Sequence, residues 1–150
     1  MITMYTDGAS SGNPGPGGYG TVLLYKQFKK ELSAGYRKTT NNRMELLAVI
    51  KGLEALKGTG HTVTIYSDSK YVVDAVEKGW LWGWEKKSFK NKKNPDLWQR
   101  FIKLYRQHQI RFQWVKGHDG NAMNERCDQL AVAAAAGPDL LVDSGYEENN

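Results

Sequence analysis

The chain has one cysteine, Cys127, in 150 residues, which excludes an internal disulfide and fits a reducing cytoplasm. No apolar run approaches the roughly 18 residues of a membrane span, so no membrane partner is expected. The N-terminus lacks the basic patch and apolar stretch of a secretory signal. There are three histidines and no Cys/His grouping, which disfavours a zinc centre. Repeats and linker-like segments are also missing, so residues 1–150 are expected to form a single domain. The charge is concentrated in one place. Residues 78–93, KGWLWGWEKKSFKNKK, hold six Lys and one Glu, whereas the other 134 residues carry 15 charges of each sign. A focused basic stretch suits a polyanion such as nucleic acid, although a solvated charge run has the same composition.

Residues 2–6 alternate and stop at Asp7. YGTVLLYK and KELSAGYRK read as two further strands of an antiparallel meander. In TTNNRMELLAVIKGLEALKG, Leu46, Val49, Ile50, Leu53 and Leu56 recur at helical spacing, with Thr40 or Asn41 as cap and Gly58 as stop. TVTIYSD is a strand, and SKYVVDAVEKG is a short helix stopped by Gly79. PDLWQRFIKLYRQH is a helix opened by Pro95, IRFQWV a strand, and NAMNERCDQLAVAAAA a helix closed by Gly137-Pro138. Trp98 and Trp114 are expected in the core, and residues 138–150 as a loose acidic tail. This order predicts an α/β fold: a mixed five-stranded sheet, three antiparallel strands then parallel ones, with helices on both faces.

Two strand ends rhyme. Tyr5-Thr6-Asp7 and Tyr66-Ser67-Asp68 each run aromatic, small hydroxyl, acid. If these strands are parallel neighbours, both acids sit at the C-terminal edge, where open α/β sheets place ligands. Asp68 also precedes a helix, and capping explains it equally well. Glu45 borders its helix's apolar stripe with no basic partner at i+4, and Asp128 flanks another stripe beside Cys127. Charges on such borders are costly unless paired or metal-bound. Gathered carboxylates repel unless neutralised. Hard oxygen ligands without Cys or several His suit Mg²⁺, with Mn²⁺ as substitute. Two such ions about 4 Å apart can activate a water and steady the leaving oxygen of a phosphodiester. The glycine-rich stretch after Asp7 is not a Walker loop, because Gly18 stands where that motif has Lys. It reads most simply as a hairpin turn; a close backbone approach to phosphate is the other reading.

YTDGASSGNPGPGGYG, TTNNRMELLAVI, YSDSKYV, DLWQRF, WVKGHDG and NERCDQLA together resemble type 1 ribonucleases H, in this order and over nearly the whole chain. The likeness is to bacterial members with a basic protrusion, here 78–93. It implies endonucleolytic hydrolysis of the RNA strand of an RNA–DNA hybrid by a monomer using two Mg²⁺ ions, leaving 5′-phosphate and 3′-hydroxyl ends. The family's acidic metal ligands fall on Asp7, Glu45, Asp68 and Asp128. Its mobile histidine falls on His118, where it assists proton transfer or product departure.

The resemblance also implies substrate contacts. Asn13 and Asn41 match positions that touch the hybrid, with Asn42 as a neighbour, and Thr40 matches a residue that grips a DNA phosphate. Trp80 would line the DNA channel, with Lys86, Lys87 and the other protrusion lysines on the duplex. Of Trp80, Trp82 and Trp84, at least one is expected to anchor to the core. Lys70 stands where the family often has Gln, at a position tied to a minor-groove contact. The protrusion has Lys and no Arg, so its phosphate grip is less bidentate. The rival reading is a non-catalytic module binding hybrid or double-stranded RNA, which would keep the basic aromatic stretch and need not keep four acids. Another nuclease of the same broad fold is a second rival.

Overall fold

The computed structural model describes residues 1–117 and 120–148. β1 (Ile2–Ser10), β2 (Gly15–Tyr25) and β3 (Phe28–Thr39) form an antiparallel meander. β4 (Thr62–Ser67) lies parallel to β1, and β5 (Gln109–Trp114) parallel to β4. The result is one five-stranded sheet in the order β3-β2-β1-β4-β5. This is the mixed sheet expected from the sequence.

β1 does not stop at Asp7. Its parallel pairing with β4 ends at Tyr5↔Tyr66, but its antiparallel pairing with β2 continues to Ser10↔Gly17. Asp7 therefore sits where one neighbour drops away and the other remains. Several glycines read as loop belong to β2, and Gly20 has a packing reason. A Cβ on Gly20 would collide with the Cys127 carbonyl and Leu130 of α5 (Ala122–Ala135). Gly20 pairs with Asp7 across the ladder, and directly opposed residues share a face. Asp7 thus faces α5, and the next residue, Gly8, faces α1 (Asn41–Glu54) on the other side. Helices cover both faces.

The Thr40 hydroxyl caps α1, accepting from the Arg43 amide at 3.3 Å. The helix ends at Glu54 rather than near Gly58, because its buried stripe stops at Leu53. α2 (Lys70–Glu77) and α4 (Pro95–Tyr105) complete that layer. Met4, Met44, Leu46, Ile50, Ile65, Trp98 and Phe101 are fully buried between sheet and helices. The protrusion contains α3 (Trp80–Lys86), then turns in which Ser88, Phe89, Asn91 and Asn94 take positive φ. Leu81 and Phe89 bury and hold it down. Trp82 packs on Tyr105 and Trp84 edge-on to Trp98, at 5.1 and 5.8 Å between ring centroids. Two of the three tryptophans are thus anchors, and Trp80 is half exposed.

Two expectations are corrected. Trp114 is not a core residue: it lies at the end of β5, 41% exposed. Over its described residues, 138–148, the acidic tail is attached. Leu141 donates its amide to Gly35 and accepts from the Arg37 amide, at 2.8 and 2.9 Å. α6 (Ser144–Glu147) follows, and Glu147 takes a two-pronged contact from Arg37. Asp143 is buried and accepts from Thr39 and Arg43. Two of the tail's acids, Asp143 and Glu147, are ion-pair partners, which a composition-based reading of a charged tail does not reveal.

Candidate active site

The rhyming strand ends lie side by side. Tyr5 and Tyr66 are register partners with rings stacked 4.8 Å apart, and each strand then delivers its acid. Asp68 is not the helix cap. The Ser69 hydroxyl caps α2, accepting from the Val72 amide at 3.2 Å, so the Asp68 carboxylate has no capping duty. Glu45 arrives from α1. Gly8 makes this approach possible, because a Cβ there would strike the backbone of Met44 and Glu45. Carboxylate oxygens of Asp7, Glu45 and Asp68 lie within 4.8 Å of one another. Asp128, half-buried on α5, adds its charge to Asp7 from the opposite face.

The cluster is electrostatically strained when no cation is bound. Burial, then the charges of Asp68 and Asp128, push Asp7 up to about 8, against the Gly8 amide that donates to it at 3.0 Å. Burial, then Asp7 and Asp68, push Glu45 well above the usual carboxylate range. Glu45 Oε1 and Asp68 Oδ1 are buried with no hydrogen-bond partner. Orphaned oxygens are expensive inside a protein. All the donors are hard carboxylate oxygens, which fits a divalent ion of the Mg²⁺ type and not zinc. Gly8→Ala is expected to lower activity about 10–100-fold, as when a group that orients a metal ligand is removed. A cleavage titration against divalent ion would read this as a raised half-saturating concentration.

A groove of about 920 Å³ runs past the start of α1, lined in part by Asn13, Thr40, Asn42, Tyr71, Trp80 and Lys92. Asn13 Oδ1 accepts from the Asn41 amide at 3.1 Å, tying the β1–β2 turn to the helix. Asn41 itself does not line the groove, and neither do Lys86 and Lys87. Lys92 and Lys93 do, because the positive-φ turns fold the chain back beneath α3. Lysines cap two protrusion indoles: Lys78 over Trp80 at 5.2 Å and Lys92 over Trp84 at 5.0 Å. His118 lies outside the described residues.

Sequence reasoning missed Arg43. It is buried beside the groove and binds Asp96 and Asp143 through both prongs of its guanidinium, at 2.7–2.9 Å. The available signal was an arginine one turn before Leu46 and Leu47, on the apolar face of its helix.

Carboxylates gathered at the C-terminal edge of a mixed α/β sheet, beside a basic groove, define an enzyme of the cation-assisted kind. The RNase H family model matches residues 1–136. The chain is 63% identical over 147 residues to the ribonuclease H of Desulforamulus reducens, covering 95% of this chain and 92% of that one. Against ribonuclease HI of a Synechocystis strain it is 52% identical over 151 residues, covering 97% and 94%. Among solved structures, LC9-RNase H1, a type 1 RNase H with the type 2 active-site motif, superposes with a TM-score of 0.83 at 36% identity, covering 98% of this chain and 79% of that one. LC11-RNase H1 in complex with an RNA/DNA hybrid gives 0.67 at 27% identity, covering 90% and 96%. The chain belongs to the ribonuclease H family.

Proposed function

We propose that this chain is an endonuclease cutting the RNA strand of RNA–DNA hybrids, with Asp7, Glu45, Asp68 and Asp128 as the residues that would hold two Mg²⁺ ions, or Mn²⁺ in their place. The observation that carries this reading is the meeting of three carboxylates within 4.8 Å at the sheet edge, two of them with orphaned buried oxygens. When bound, the ions supply positive charge that favours deprotonation of the attacking water and neutralises the leaving 3′-oxygen. The products are then a 5′-phosphate and a 3′-hydroxyl. Asp7 and Glu45, held rigidly by the Gly8 contact, fix where that charge sits. His118 handles proton transfer or product departure. Asn13, Thr40, Asn42 and Trp80 hold the DNA strand in the groove, and Asn41 positions Asn13 through its amide. Ribose 2′-hydroxyls mark the other strand as RNA. The enzyme acts as a cytoplasmic monomer. No helix among the described residues is long and apolar enough to cross a membrane.

The testing experiment is cleavage of hybrid, double-stranded RNA, double-stranded DNA and single strands, each with Mg²⁺ and with chelator. Metal-dependent cutting of the hybrid's RNA strand alone is expected. Binding with no cutting favours the non-catalytic module, and equal cutting of single-stranded DNA favours another nuclease of this fold. Groove position also ranks the lysines. Alanine at Lys92 and Lys93 is expected to raise KM more than alanine at Lys86 and Lys87. The slope of log affinity on log salt should also flatten by about one for each phosphate left without its lysine.

A further inference from the structure

We propose that the tip of the β2–β3 hairpin, on the face carrying Tyr25, Phe28 and Lys30, is a second nucleic-acid site that takes unpaired single strand. Its place follows from the sheet. Thr21 faces α1, donating its hydroxyl to the Ala48 carbonyl at 2.7 Å. Tyr25, four residues on, shares that face. α1 runs towards the same tip, meeting Gly8 at Glu45 and Met4 at Gly52, and ends at Glu54. The hairpin reaches beyond it, which leaves Tyr25 44% and Phe28 66% exposed. The two are register partners, so their rings stand on one face. Single exposed rings are ordinary on a protein surface; a facing pair at one tip is not explained by packing.

Charge narrows what the rings meet. YKQFKK holds three lysines in six residues. Lys30 stands on the ring face, opposite Leu23. The Lys26 ammonium lies 5.4 Å from the Tyr25 ring centroid. Lysine is paired with an aromatic ring in the same way at Lys70 on Trp114, and at Lys78 and Lys92 on the protrusion. Lys26 opens the two-residue turn at φ 55°, a conformation that glycine or asparagine usually takes. A local rule broken without local gain points to function. Among the described residues neither Lys26 nor Lys30 has a carboxylate within ion-pair distance. Glu31, next along β3, takes the other face, where Arg126 binds it through two prongs at 2.7 and 2.9 Å and Lys29 adds a third contact. Two flat rings and two free cations are the elements of single-strand binding, since lysines follow phosphates and unpaired bases stack on rings. Charge alone suits an anionic membrane or an acidic peptide equally; the paired rings add a flat surface that bases use.

The tip is separate from the groove. Asn13 and Pro14 of the groove lie just before β2, and Lys26 follows its last residue. The 11 residues between span roughly 33 Å. Gly20, the register partner of Asp7, is about 17 Å from Tyr25 along the strand. A hybrid opened within a DNA duplex displaces one DNA strand, and the tip holds that strand away from the carboxylates while the groove holds the hybrid. This benefit rests on the hybrid-cleavage reading above; the binding itself does not.

The test is fluorescence anisotropy over a salt series, in an Asp7→Asn background so that hybrid stays whole. The probes are a labelled oligo-dT of about 12 nucleotides, within usual single-strand site sizes, measured with unlabelled blunt hybrid filling the groove, and labelled blunt hybrid alone. Phe28→Ala is expected to weaken oligo-dT binding about 5–100-fold, the effect of losing one stacked base, and to leave blunt-hybrid binding unchanged. Phe28→Tyr should keep the affinity and Phe28→Leu should lose it, because leucine has bulk without a flat ring. Lys26→Gln and Lys30→Gln should each reduce the slope of log affinity on log salt by about 0.7, the value per phosphate of a single strand. Lys103→Gln, on α4, is the control and keeps the parent slope. In cleavage by the otherwise intact enzyme, a hybrid with a single-stranded DNA flank should show a lower KM than the blunt one, and Phe28→Ala should erase that difference without changing kcat. Oligo-dT affinity indifferent to Phe28 overturns the proposal. So does an equal loss of blunt-hybrid affinity, which makes the tip part of the duplex site, and so does Phe28-dependent binding to phosphatidylglycerol vesicles with none to oligo-dT. Oligo-dT binding that needs Phe28, with no cutting of any hybrid by the wild-type chain, removes the hybrid-cleavage reading and leaves the tip site standing.

Discussion

Asp7→Asn is expected to cut hybrid cleavage by about a thousandfold or more, the order removed when one preorganised electrostatic element leaves a site, and at the same time to stabilise the metal-free protein. Both effects have one cause. Asp7 faces Asp68, Asp128 and Glu45 in a buried corner, and holds its proton up to about pH 8 in the folded chain. The unfolded chain releases that proton near pH 4. The folded state therefore binds more protons over this window. This group's contribution to stability is complete below about pH 4 and is lost as pH rises through 8. Asparagine removes the penalty while its amide oxygen still accepts from the Gly8 amide. At pH 8 without divalent ion, the melting temperature of Asp7→Asn should exceed the parent's by on the order of 5 °C. Added Mg²⁺ should raise the parent and move the variant much less. Thermal melts with Mg²⁺ or chelator at pH 5 and pH 8, beside single-turnover cleavage, read all of this. Equal melting of the two proteins at pH 8 in chelator would show that the acids do not strain one another.

Arg43→Ala is expected to be the most damaging single change outside the acid cluster, costing about 3–5 kcal/mol and lowering the melting temperature by on the order of 10 °C. Arg43 is 3% exposed and joins three separate parts of the chain: its own α1, Asp96 at the start of α4, and Asp143 in the tail. Removing the guanidinium leaves Asp143 buried without its counter-charge. The damage should therefore shrink when Asp143 goes too. Arg43→Ala with Asp143→Ala should lose clearly less than the sum of the single variants. Because Arg43, Gly145 and Tyr146 also line the groove, KM for hybrid should rise in whatever fraction stays folded. Urea unfolding of the four-member cycle supplies the comparison. Strict additivity would mean the pair is decorative.

The acids were legible because their signals are local. An aromatic, a hydroxyl and an acid recur at two strand ends, and an unpaired Glu borders an apolar stripe. Short-range pattern reports which face a side chain takes. It does not report what lies across the gap. Arg43 reads as one more residue of a helical motif until Asp96 and Asp143 arrive from 53 and 100 residues away. The Gly/Pro stretch resembles a phosphate loop because spacing does not distinguish a glycine that turns the chain from one that admits a helix.

The amino-acid order alone determined the five strands, the four longer helices, the mixed sheet, the acids at the strand ends and helix borders and the basic stretch, since each follows from periodicity, capping or the chemistry of one residue type. Only the folded chain decided that Asp68 leaves capping to Ser69, that Lys92 and Lys93 rather than Lys86 and Lys87 face the groove, that Trp114 stays at the surface under Lys70, and that the tail is bound. The physical reason is the same in each case. These outcomes depend on which distant side chain or backbone group is within a few ångströms, and that distance is set by how the layers pack rather than by neighbours along the chain.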